Sequence, residues 1–334
     1  MAYTSIDNPE LYFQTKIYTG NGTNSTAITL DGDENMQPDL VWTKCRSHAV
    51  DHGLQDSVRG VAKVFHTNST TAEGTDNWIT SLDSDGFTLS NSNEVNQNTR
   101  TFVAWCWKES NSDAGFDIVS YAGDAVAGRN ISHSLGAVPH VMFVKNRTNA
   151  IKWAVYHHKN TSAPETDHLQ LNDNVATSDD DSTWDDTAPT SSVFRVKSST
   201  STNGSSANYV AYLWTGKQGF SKFGGYTGNG SADGTYVYTG FRPAFVLFKG
   251  LASNREWILA DNKRDPINEV DAVLYGNTND AEGDSDMVDF LSNGFKFIHA
   301  SGPGTINTSG ESYIYMAIAE NPFVNSNGIP VNAR

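Results

Sequence analysis

The sequence has 334 residues, which is long for one hydrophobic core and enough for three domains of about 100 residues each. Its formal net charge of −15, together with the lack of any run of about 18 apolar residues, argues against nucleic-acid binding and membrane insertion. Aromatic residues at 11% exclude a disordered chain, and the low share of charged residues, 18%, favours a neutral-polar β surface.

The first predicted elements recur three times along the chain. A tyrosine followed by an Asn/Gly-rich turn occurs at 18–22, 121–124 and 226–230. A proline-led apolar strand that ends in lysine occurs at 38–44, 139–145 and 243–249. Because Lys44, Lys145 and Lys249 lie roughly 100 residues apart, the repeating unit is predicted to be a whole small domain.

Three further strands complete each copy of the pattern. The next strand is predicted at 52–56, 153–156 and 257–261, with His52 in the place of Trp153 and Trp257. A turn and an apolar strand follow at 84–89, 191–196 and 292–297. An aromatic strand closes each copy at 101–107, 208–214 and 312–318, and its near-continuous apolarity predicts burial on both faces.

These elements predict an all-β chain of three tandem antiparallel β-sandwich domains with related internal repeats. The predicted boundaries are an N-terminal docking segment at 1–14, repeats at 15–115, 116–217 and 218–322, and a C-terminal tail at 323–334. Helical periodicity is nearly absent, and the one candidate, 54–65, is equally compatible with a strand.

The two cysteines are predicted to be core residues. Cys106 falls at the position of Leu213 and Ala317 in the other repeats, which indicates an apolar slot. A disulfide between Cys45 and Cys106 is the alternative.

Residue patterns for catalysis are weak, and we expect no enzyme. No Gly-x-Ser-x-Gly elbow or phosphate-binding glycine loop occurs in the sequence. The acidic pairs Asp180 with Asp185 and Asp83 with Asp85 have the residue type of a glycosidase. They lie in polar loops, where no burial would raise the pKa of a catalytic acid.

The chain is expected to need no cofactor, with calcium as the alternative. An acidic loop offers the hard oxygen ligands that calcium takes, without the EF-hand spacing: Asp179, Asp180, Asp181, Asp185 and Asp186. His157 and His158 are a zinc candidate that lacks a third ligand in register.

Two tryptophans in polar loops, Trp78 and Trp184, are the candidate glycan contacts, since aromatic rings stack on sugars. The alternative for each is a side chain folded back onto its own domain.

Taken together, the motifs resemble uncharacterised repeat domains in structural proteins of tailed phages that infect aquatic bacteria. The resemblance rests on Tyr-Phe-Gln-Thr-Lys-Ile-Tyr-Thr-Gly-Asn-Gly at 12–22, Gln-Pro-Asp-Leu-Val-Trp-Thr-Lys at 37–44, His-Gly-Leu-Gln-Asp-Ser-Val-Arg-Gly at 52–60, Ser-Asp-Gly-Phe-Thr-Leu at 84–89 and Tyr-Ile-Tyr-Met-Ala-Ile-Ala-Glu-Asn-Pro at 313–322. It implies a tail, fibre or capsid-surface component and offers no catalytic residues. The Asp-Ser-Val-Arg-Gly segment is expected only in the first repeat, which confines any role of Asp56 and Arg59 to that repeat.

We therefore expect a non-enzymatic virion structural protein on the particle exterior, made in the host cytoplasm without a signal peptide. Its expected partners are other virion proteins and further copies of itself in a symmetric oligomer. Tyr12 and Phe13 are the candidate docking anchors, with packing on the first repeat as the alternative. A carbohydrate-binding protein that attaches to host surface glycans is the alternative function, and a polysaccharide-degrading enzyme comes after it.

Overall fold

The computed structural model describes residues 3–302 and 305–331, and these residues form an almost entirely β structure of antiparallel sheets. We refer to 15–115, 116–217 and 218–322 as the first, second and third segments. None of the helices in the described ranges has the length and apolarity that a membrane crossing requires.

The first segment forms two facing sheets. Its elements are β1 (Phe13–Thr19), β2 (Thr26–Thr29), β3 (Leu40–Cys45), β4 (Gly53–Asp56), β5 (Ile79–Asp83), β6 (Gly86–Leu89), α1 (Asn93–Asn96) and β7 (Thr101–Trp107). The strand orders are β1-β7-β3-β4 and β2-β6-β5. No helix forms at 54–65; instead Leu54 makes an antiparallel bridge to Phe65.

The second segment repeats the larger sheet. Its elements are β8 (Phe116–Ala122), β9 (Arg129–Ser132), β10 (Val141–Asn146), β11 (Ala154–His157), β12 (Asp167–His168), β13 (Ser178–Asp179), α2 (Asp181–Trp184), β14 (Val193–Val196) and β15 (Asn208–Trp214). The order β11-β10-β15-β8 matches β4-β3-β7-β1, and β14-β9 and β12-β13 form small sheets.

In the third segment the strands join into one eight-stranded sheet. They are β16 (Ser221–Thr227), β17 (Tyr236–Tyr238), β18 (Phe241–Gly250), β19 (Trp257–Asp261), β20 (Val270–Tyr275), β21 (Gly283–Leu291), β22 (Gly294–Phe297) and β23 (Ser312–Pro322). The order is β16-β23-β18-β19-β20-β21-β22-β17, so β16 and β17 are its two edges.

The closing strands β7, β15 and β23 are buried on both faces, as predicted, because each strand serves two hydrophobic clusters. In β7, Val103, Trp105 and Trp107 enter a central cluster, whereas Ala104 and Cys106 enter a cluster between the first segment's own sheets. The period of two in a β-strand produces this alternation.

The central cluster draws on all three segments. Its members include Trp105 and Trp107 of the first, Phe143, Trp153 and Trp214 of the second, and Phe245, Trp257 and Met316 of the third. Each segment adds a smaller cluster of its own on the outer side of its sheet. The segments therefore bury a large apolar area against one another, and this burial is a main source of stability.

The recurrent tyrosine turns have one hydrogen-bonding scheme. The hydroxyls of Tyr18, Tyr121 and Tyr226 donate to the carbonyl oxygens of Val95, Thr202 and Ile306 at 3.0, 2.7 and 2.8 Å. The carbonyl oxygen of Gln97 would lie 2.3 Å from a Cβ at Gly20, so this turn requires glycine. The repeated sequence motif therefore forms the same hydrogen-bonded turn in all three segments.

Both described chain ends pack on the third segment. Ile6 is buried, and the Tyr3 hydroxyl donates to the carbonyl oxygen of Gly240 at 2.7 Å. The Asp7 carboxylate accepts a hydrogen bond from the Ser326 backbone N–H at 2.6 Å. The N-terminal segment is therefore tied to the far end of the chain.

Candidate functional site

The lysine that ends each proline-led strand is buried and reaches another segment. The ammonium groups of Lys44, Lys145 and Lys249 donate to the carbonyl oxygens of Asn279, Thr70 and Val175 at 3.3, 2.8 and 3.2 Å. The first segment thereby contacts the third, the second contacts the first, and the third contacts the second. Burial lowers the pKa of Lys145 to about 7 and those of Lys44 and Lys249 to about 8.

Side chains at the start of the next strand in each segment contact the other segments in the same cyclic order. The indole N–H groups of Trp153 and Trp257 donate to the carbonyl oxygens of His66 and Gln170 at 3.0 and 2.8 Å. His52, at the equivalent position of the first segment, places Nε2 at 2.9 Å from the carbonyl oxygen of Tyr275. The histidine therefore replaces the tryptophan without loss of the inter-segment bond.

The tautomer of His52 follows from its two partners. Its Nδ1 accepts from the indole N–H of Trp42 at 2.8 Å, so Nε2 carries the hydrogen that is donated to Tyr275. Burial, with a smaller contribution from the charge of Lys44, lowers the pKa of His52 to about 3. The ring is a neutral structural connector.

A buried carboxylate–arginine pair occupies each of two segment junctions. Asp56 accepts from Arg59 Nε at 2.5 Å, and Asp261 accepts from Arg264 Nε at 2.6 Å, with no exposure of any of the four side chains. The expectation that this pair is confined to the first segment is wrong. The Asp-x-x-Arg spacing behind the strand recurs at Asp261 and was the available sequence signal.

Each pair also receives a side chain from another segment. The Tyr212 hydroxyl donates to Asp56 Oδ2 at 2.6 Å, and the Trp105 indole N–H donates to Asp261 Oδ2 at 3.0 Å. Burying a charge is costly unless it is paired and hydrogen-bonded, and both carboxylates meet that requirement.

The third junction is neutral. His157 and Asn160 stand where the other segments have the aspartate and the arginine. Asn160 Oδ1 accepts from the Thr177 hydroxyl at 2.6 Å, and His157 Nε2 lies 3.2 Å from the carbonyl oxygen of Tyr315. Burial, followed by the neighbouring His158, lowers the pKa of His157 to about 3.

The two junctions with a buried carboxylate–arginine pair each have a second, partly exposed ion pair, and the third junction lacks it in the described residues. Arg147 pairs with Glu73 at 2.7 Å and Arg46 pairs with Glu282 at 2.6 Å, each across a segment junction. At the third junction, Leu251 and Thr177 keep only the equivalent backbone bond, at 3.2 Å. These charged side chains hold segments together, and no sequence-based prediction included them as functional.

The candidate glycan contacts lie inside the protein. Trp78 is 5% exposed and packs against His66, and Trp184 is 1% exposed and donates its indole N–H to the carbonyl oxygen of Asp167 at 3.1 Å. Neither ring presents a face to a ligand in solution. Both follow the alternative stated for them, a side chain folded back onto its own segment.

The acidic loop is organised by protein groups. Burial alone would raise the pKa of Asp180, but hydrogen bonds from Ser182 and Thr183 at the start of α2 outweigh it and lower the pKa. Asp181 pairs with Lys197, and Asp185 pairs with Arg195, whereas Asp179 and Asp186 are exposed. Within the described ranges, no three His, Cys, Asp or Glu side chains are grouped to hold a metal ion, including those around His157 and His158.

The remaining predicted residues are mostly interior. Phe13 is buried in the central cluster, and Tyr12 is half-buried with its ring 5.9 Å from that of Phe220. Phe13 therefore has no surface for docking a partner. Cys45 and Cys106 are free and buried, in agreement with the predicted core role.

One open cleft of about 760 Å³ lies between the two edges of the eight-stranded sheet. Edge strand β16 contributes Lys222, Gly224 and Gly225, and edge strand β17 contributes Tyr236 and Tyr238. The second segment contributes His140, His158, Lys159 and Lys217, and Tyr3 lines one end. The sequence patterns did not indicate this cleft, because its walls come from distant parts of the chain.

No curated protein and no solved structure matches the chain significantly. A family model described as "Domain of unknown function (DUF7483)" matches residues 8–322. The match takes in all three segments, from the 3₁₀ turn Pro9–Leu11, which precedes β1, to the end of β23. The chain therefore belongs to the DUF7483 family.

Proposed function

We propose that this chain is a non-enzymatic structural protein on the exterior of a tailed-phage virion, built from three related β modules that close into a ring. The observation that carries the proposal is that side chains capable of chemistry are buried in contacts between segments. Asp56, Asp261, Lys145, His52 and Trp153 are all buried in contacts between segments.

The ring arrangement is supported by the cyclic order of these contacts. The lysine bonds and the tryptophan or histidine bonds are donated by the first segment to the third, by the third to the second, and by the second to the first. Equivalent backbone bonds join the same three pairs of segments with the donor on the other side. The domain boundaries at 15–115, 116–217 and 218–322 remain part of this proposal. A closed ring of modules suits a particle component, since it leaves no module free to unfold alone.

The absence of catalysis is supported by the cleft. Hydrolysis of a glycosidic bond by the common mechanism uses two carboxyl groups on either side of the bond. Among the described residues that line the cleft there is no aspartate or glutamate. Incubation of the chain with a host polysaccharide should release no reducing ends. If reducing ends are released and a substitution in the cleft abolishes their release, the chain is an enzyme.

The virion role rests on the resemblance of the motifs to repeat domains of tailed-phage structural proteins. In that setting the chain would assemble symmetrically with copies of itself and with other virion proteins. Docking would use exposed groups near the chain ends such as Leu11 and Ile329. Synthesis in the host cytoplasm belongs to the same proposal.

An antibody against the recombinant chain provides the test. Immunogold electron microscopy of purified particles should place label at one symmetric position on the exterior. An antibody against an unrelated host cytoplasmic protein is the matched control. If the chain is abundant in the lysate and missing from purified particles, it is not a virion component.

Attachment to host glycans is the second candidate function, and the open cleft favours it. In this cleft two exposed tyrosines, Tyr236 and Tyr238, lie beside lysines. Adsorption of particles to host cells in the presence of antibody fragments against β17 would separate attachment from a purely architectural role.

A further inference from the structure

We propose that the cleft between β16 and β17 is a binding site for an acidic carbohydrate, with Tyr236 and Tyr238 as stacking platforms and Lys159 and Lys222 as charge partners. The proposal rests on the second candidate function, attachment to host glycans, and names the class of glycan; it can be tested on the isolated chain, so its failure would leave the virion role untouched. The site differs from the predicted glycan contacts, Trp78 and Trp184, which are buried.

The stacking surface consists of two exposed tyrosines on an edge strand. Tyr236 and Tyr238 are 44% and 48% exposed, and Val237 between them points into the third segment's own cluster. A tyrosine ring combines an apolar face with a hydrogen-bonding hydroxyl. A sugar offers the complement, an apolar face of C–H groups surrounded by hydroxyls.

These tyrosines are specific to the third segment. Val237 pairs with Phe295 as Ile28 pairs with Phe87 and as Ile131 pairs with Phe194. Around the equivalent isoleucines, the chain has only small or polar residues: Ala27 and Thr29 in the first segment, and Asn130 and Ser132 in the second. The third segment thus places large rings where the other two have none.

The floor of the cleft differs in the same way. Gly224 and Gly225 precede Tyr226, whereas Lys16 and Ile17 precede Tyr18, and Val119 and Ser120 precede Tyr121. A Cβ on Gly224 would lie 2.5 Å from the Tyr315 hydroxyl oxygen. The Tyr315 side chain therefore takes the space that a side chain at position 224 would need, and Gly224, Gly225 and Tyr315 together line the floor of the cleft.

The charge of the lining points to an anion. The chain as a whole has a net charge of −15, yet the described lining residues include Lys159, Lys217 and Lys222 and no carboxylate. None of these lysines forms an ion pair with a described carboxylate. A locally basic cleft on an otherwise acidic protein attracts anionic ligands.

The bonds within the cleft hold its walls in place. Lys222 Nζ donates to the carbonyl oxygen of Tyr238 at 2.7 Å and lies 5.2 Å from the centre of its ring, which links the two edge strands. His140 and His158 stack at 4.1 Å, and burial lowers the pKa of His140 to about 4. Burial also lowers the pKa of His158, so both histidines are neutral at pH 7 and the lysines supply the charge.

Calorimetric titration with tetrasaccharides tests the site. We use a tetrasaccharide of uronic acids, a sulfated galactan tetrasaccharide and neutral maltotetraose. At least one acidic tetrasaccharide should bind at about millimolar concentration or below and at least about tenfold more tightly than maltotetraose. Raising the salt from about 50 to about 500 mM should remove this preference, because exposed charges are then screened.

Paired variants locate the site. Tyr238→Ala and Tyr236→Ala should each weaken the acidic tetrasaccharide by about thirtyfold, the loss typical of a hot-spot aromatic. Thr29→Ala and Ser132→Ala change the equivalent positions of the other segments and should leave binding unchanged. Lys159→Met should reduce the preference for the acidic sugar with little effect on maltotetraose, and unaltered melting temperatures show that these surface variants fold.

Three results would overturn the assignment. The first is that neither acidic tetrasaccharide binds at about 5 mM. The second is binding that Tyr238→Ala and Tyr236→Ala leave intact, which places the ligand elsewhere. The third is tighter binding of a pentaglutamate peptide than of either acidic sugar, which assigns the cleft to acidic peptides.

Discussion

The Tyr212 hydroxyl and the Asp56 carboxylate are 156 positions apart in sequence and 2.6 Å apart in space. Trp105 and Asp261 have the same separation, 156 positions, but there the aromatic residue comes first along the chain. The reversal has a simple geometric meaning. Each aspartate receives its bond from the next segment in a cyclic order, in which the third segment is followed by the first.

Removal of the Tyr212 hydroxyl tests how much this closure stabilises the protein. Tyr212→Phe leaves the ring in the central cluster and deletes a hydrogen bond to a buried carboxylate. The free energy of unfolding should fall by about 1.5–3 kcal/mol, measured by urea denaturation. Tyr236→Phe, on the exposed strand β17, is the matched control and should change it by no more than about 0.5 kcal/mol. Equal effects of the two variants would contradict a stabilising role of the Asp56 contact.

Cooperative unfolding is the second prediction. Because Phe143, Trp153 and Trp214 of the second segment pack in a cluster shared with the other segments, a fragment of residues 116–217 would expose them to water. We expect the fragment to lack a folded amide spectrum in NMR and the full chain to unfold in one transition by fluorescence and circular dichroism. A fragment with dispersed signals, or three separate transitions, would show independent domains.

Trp107 provides a third prediction, since its ring touches all three parts of the chain. Its centre lies 4.9 Å from that of Phe13, 6.3 Å from that of Trp214 and 5.6 Å from that of Phe245. Trp107→Ala should lower the free energy of unfolding by about 3–5 kcal/mol. Trp107→Phe should cost less, because the indole N–H is buried without a partner in the described structure and its removal relieves that cost. A loss below about 1 kcal/mol for Trp107→Ala would contradict its place in the core.

The sequence predicted recurring strands such as β3, β4 and β7, but it did not predict β2, β20 or β21 or the way in which the strands assemble. Proline-led apolar runs that end in lysine predicted β3, β10 and β18, and each of these strands ends one residue beyond the buried Lys44, Lys145 or Lys249. A strand buried on both faces is expected in a separate β-sandwich domain and also in segments that share one core. The apolar pattern of the sequence could therefore not distinguish these two arrangements. Only long-range partners, such as Lys145 with Thr70, decide between these assemblies.

The burial of the candidate glycan tryptophans could not be read from the sequence for a related reason. Trp184 stands among polar residues in sequence, which predicts exposure, but its indole N–H finds a backbone carbonyl and its ring fills a core. Tyr236 and Tyr238 were visible in sequence as an aromatic departure from Ala27 and Thr29. Comparison of the three repeats position by position would have revealed that departure. Which residues face each other across the cleft depends on the order of strands in the sheet, and the sequence does not specify it.

Acid sensitivity is the fourth prediction and rests on His52 and His157. Burial lowers the pKa of each from 6.5 to about 3 in the folded chain. Between these values the unfolded chain binds protons that the folded chain excludes, so stability is lost as the pH falls from about 6.5 towards 4. The urea midpoint should decrease over this range, and His52→Gln should make the decrease shallower. The exposed His48→Gln is the control, and an unchanged slope in His52→Gln would contradict the assignment.

Lys145 predicts a further rise in stability with pH above neutrality. Burial lowers its pKa from 10.5 to about 7, with Nζ enclosed by the carbonyl oxygens of Thr70 and Ile151. Between pH 7 and about 10 the unfolded chain keeps a proton that the folded chain has released, so stability should rise with pH across that window. Above it, tyrosines such as Tyr18, whose pKa is raised by burial, reverse the trend because the unfolded chain ionises first. Lys145→Met should make the rise measured by urea denaturation at pH 7, 8.5 and 10 shallower, and Lys44 and Lys249, whose pKa values burial lowers to about 8, should account for the part that remains. The surface variant Lys159→Met should leave the rise unchanged, and an equally steep rise in Lys145→Met would contradict the contribution of Lys145.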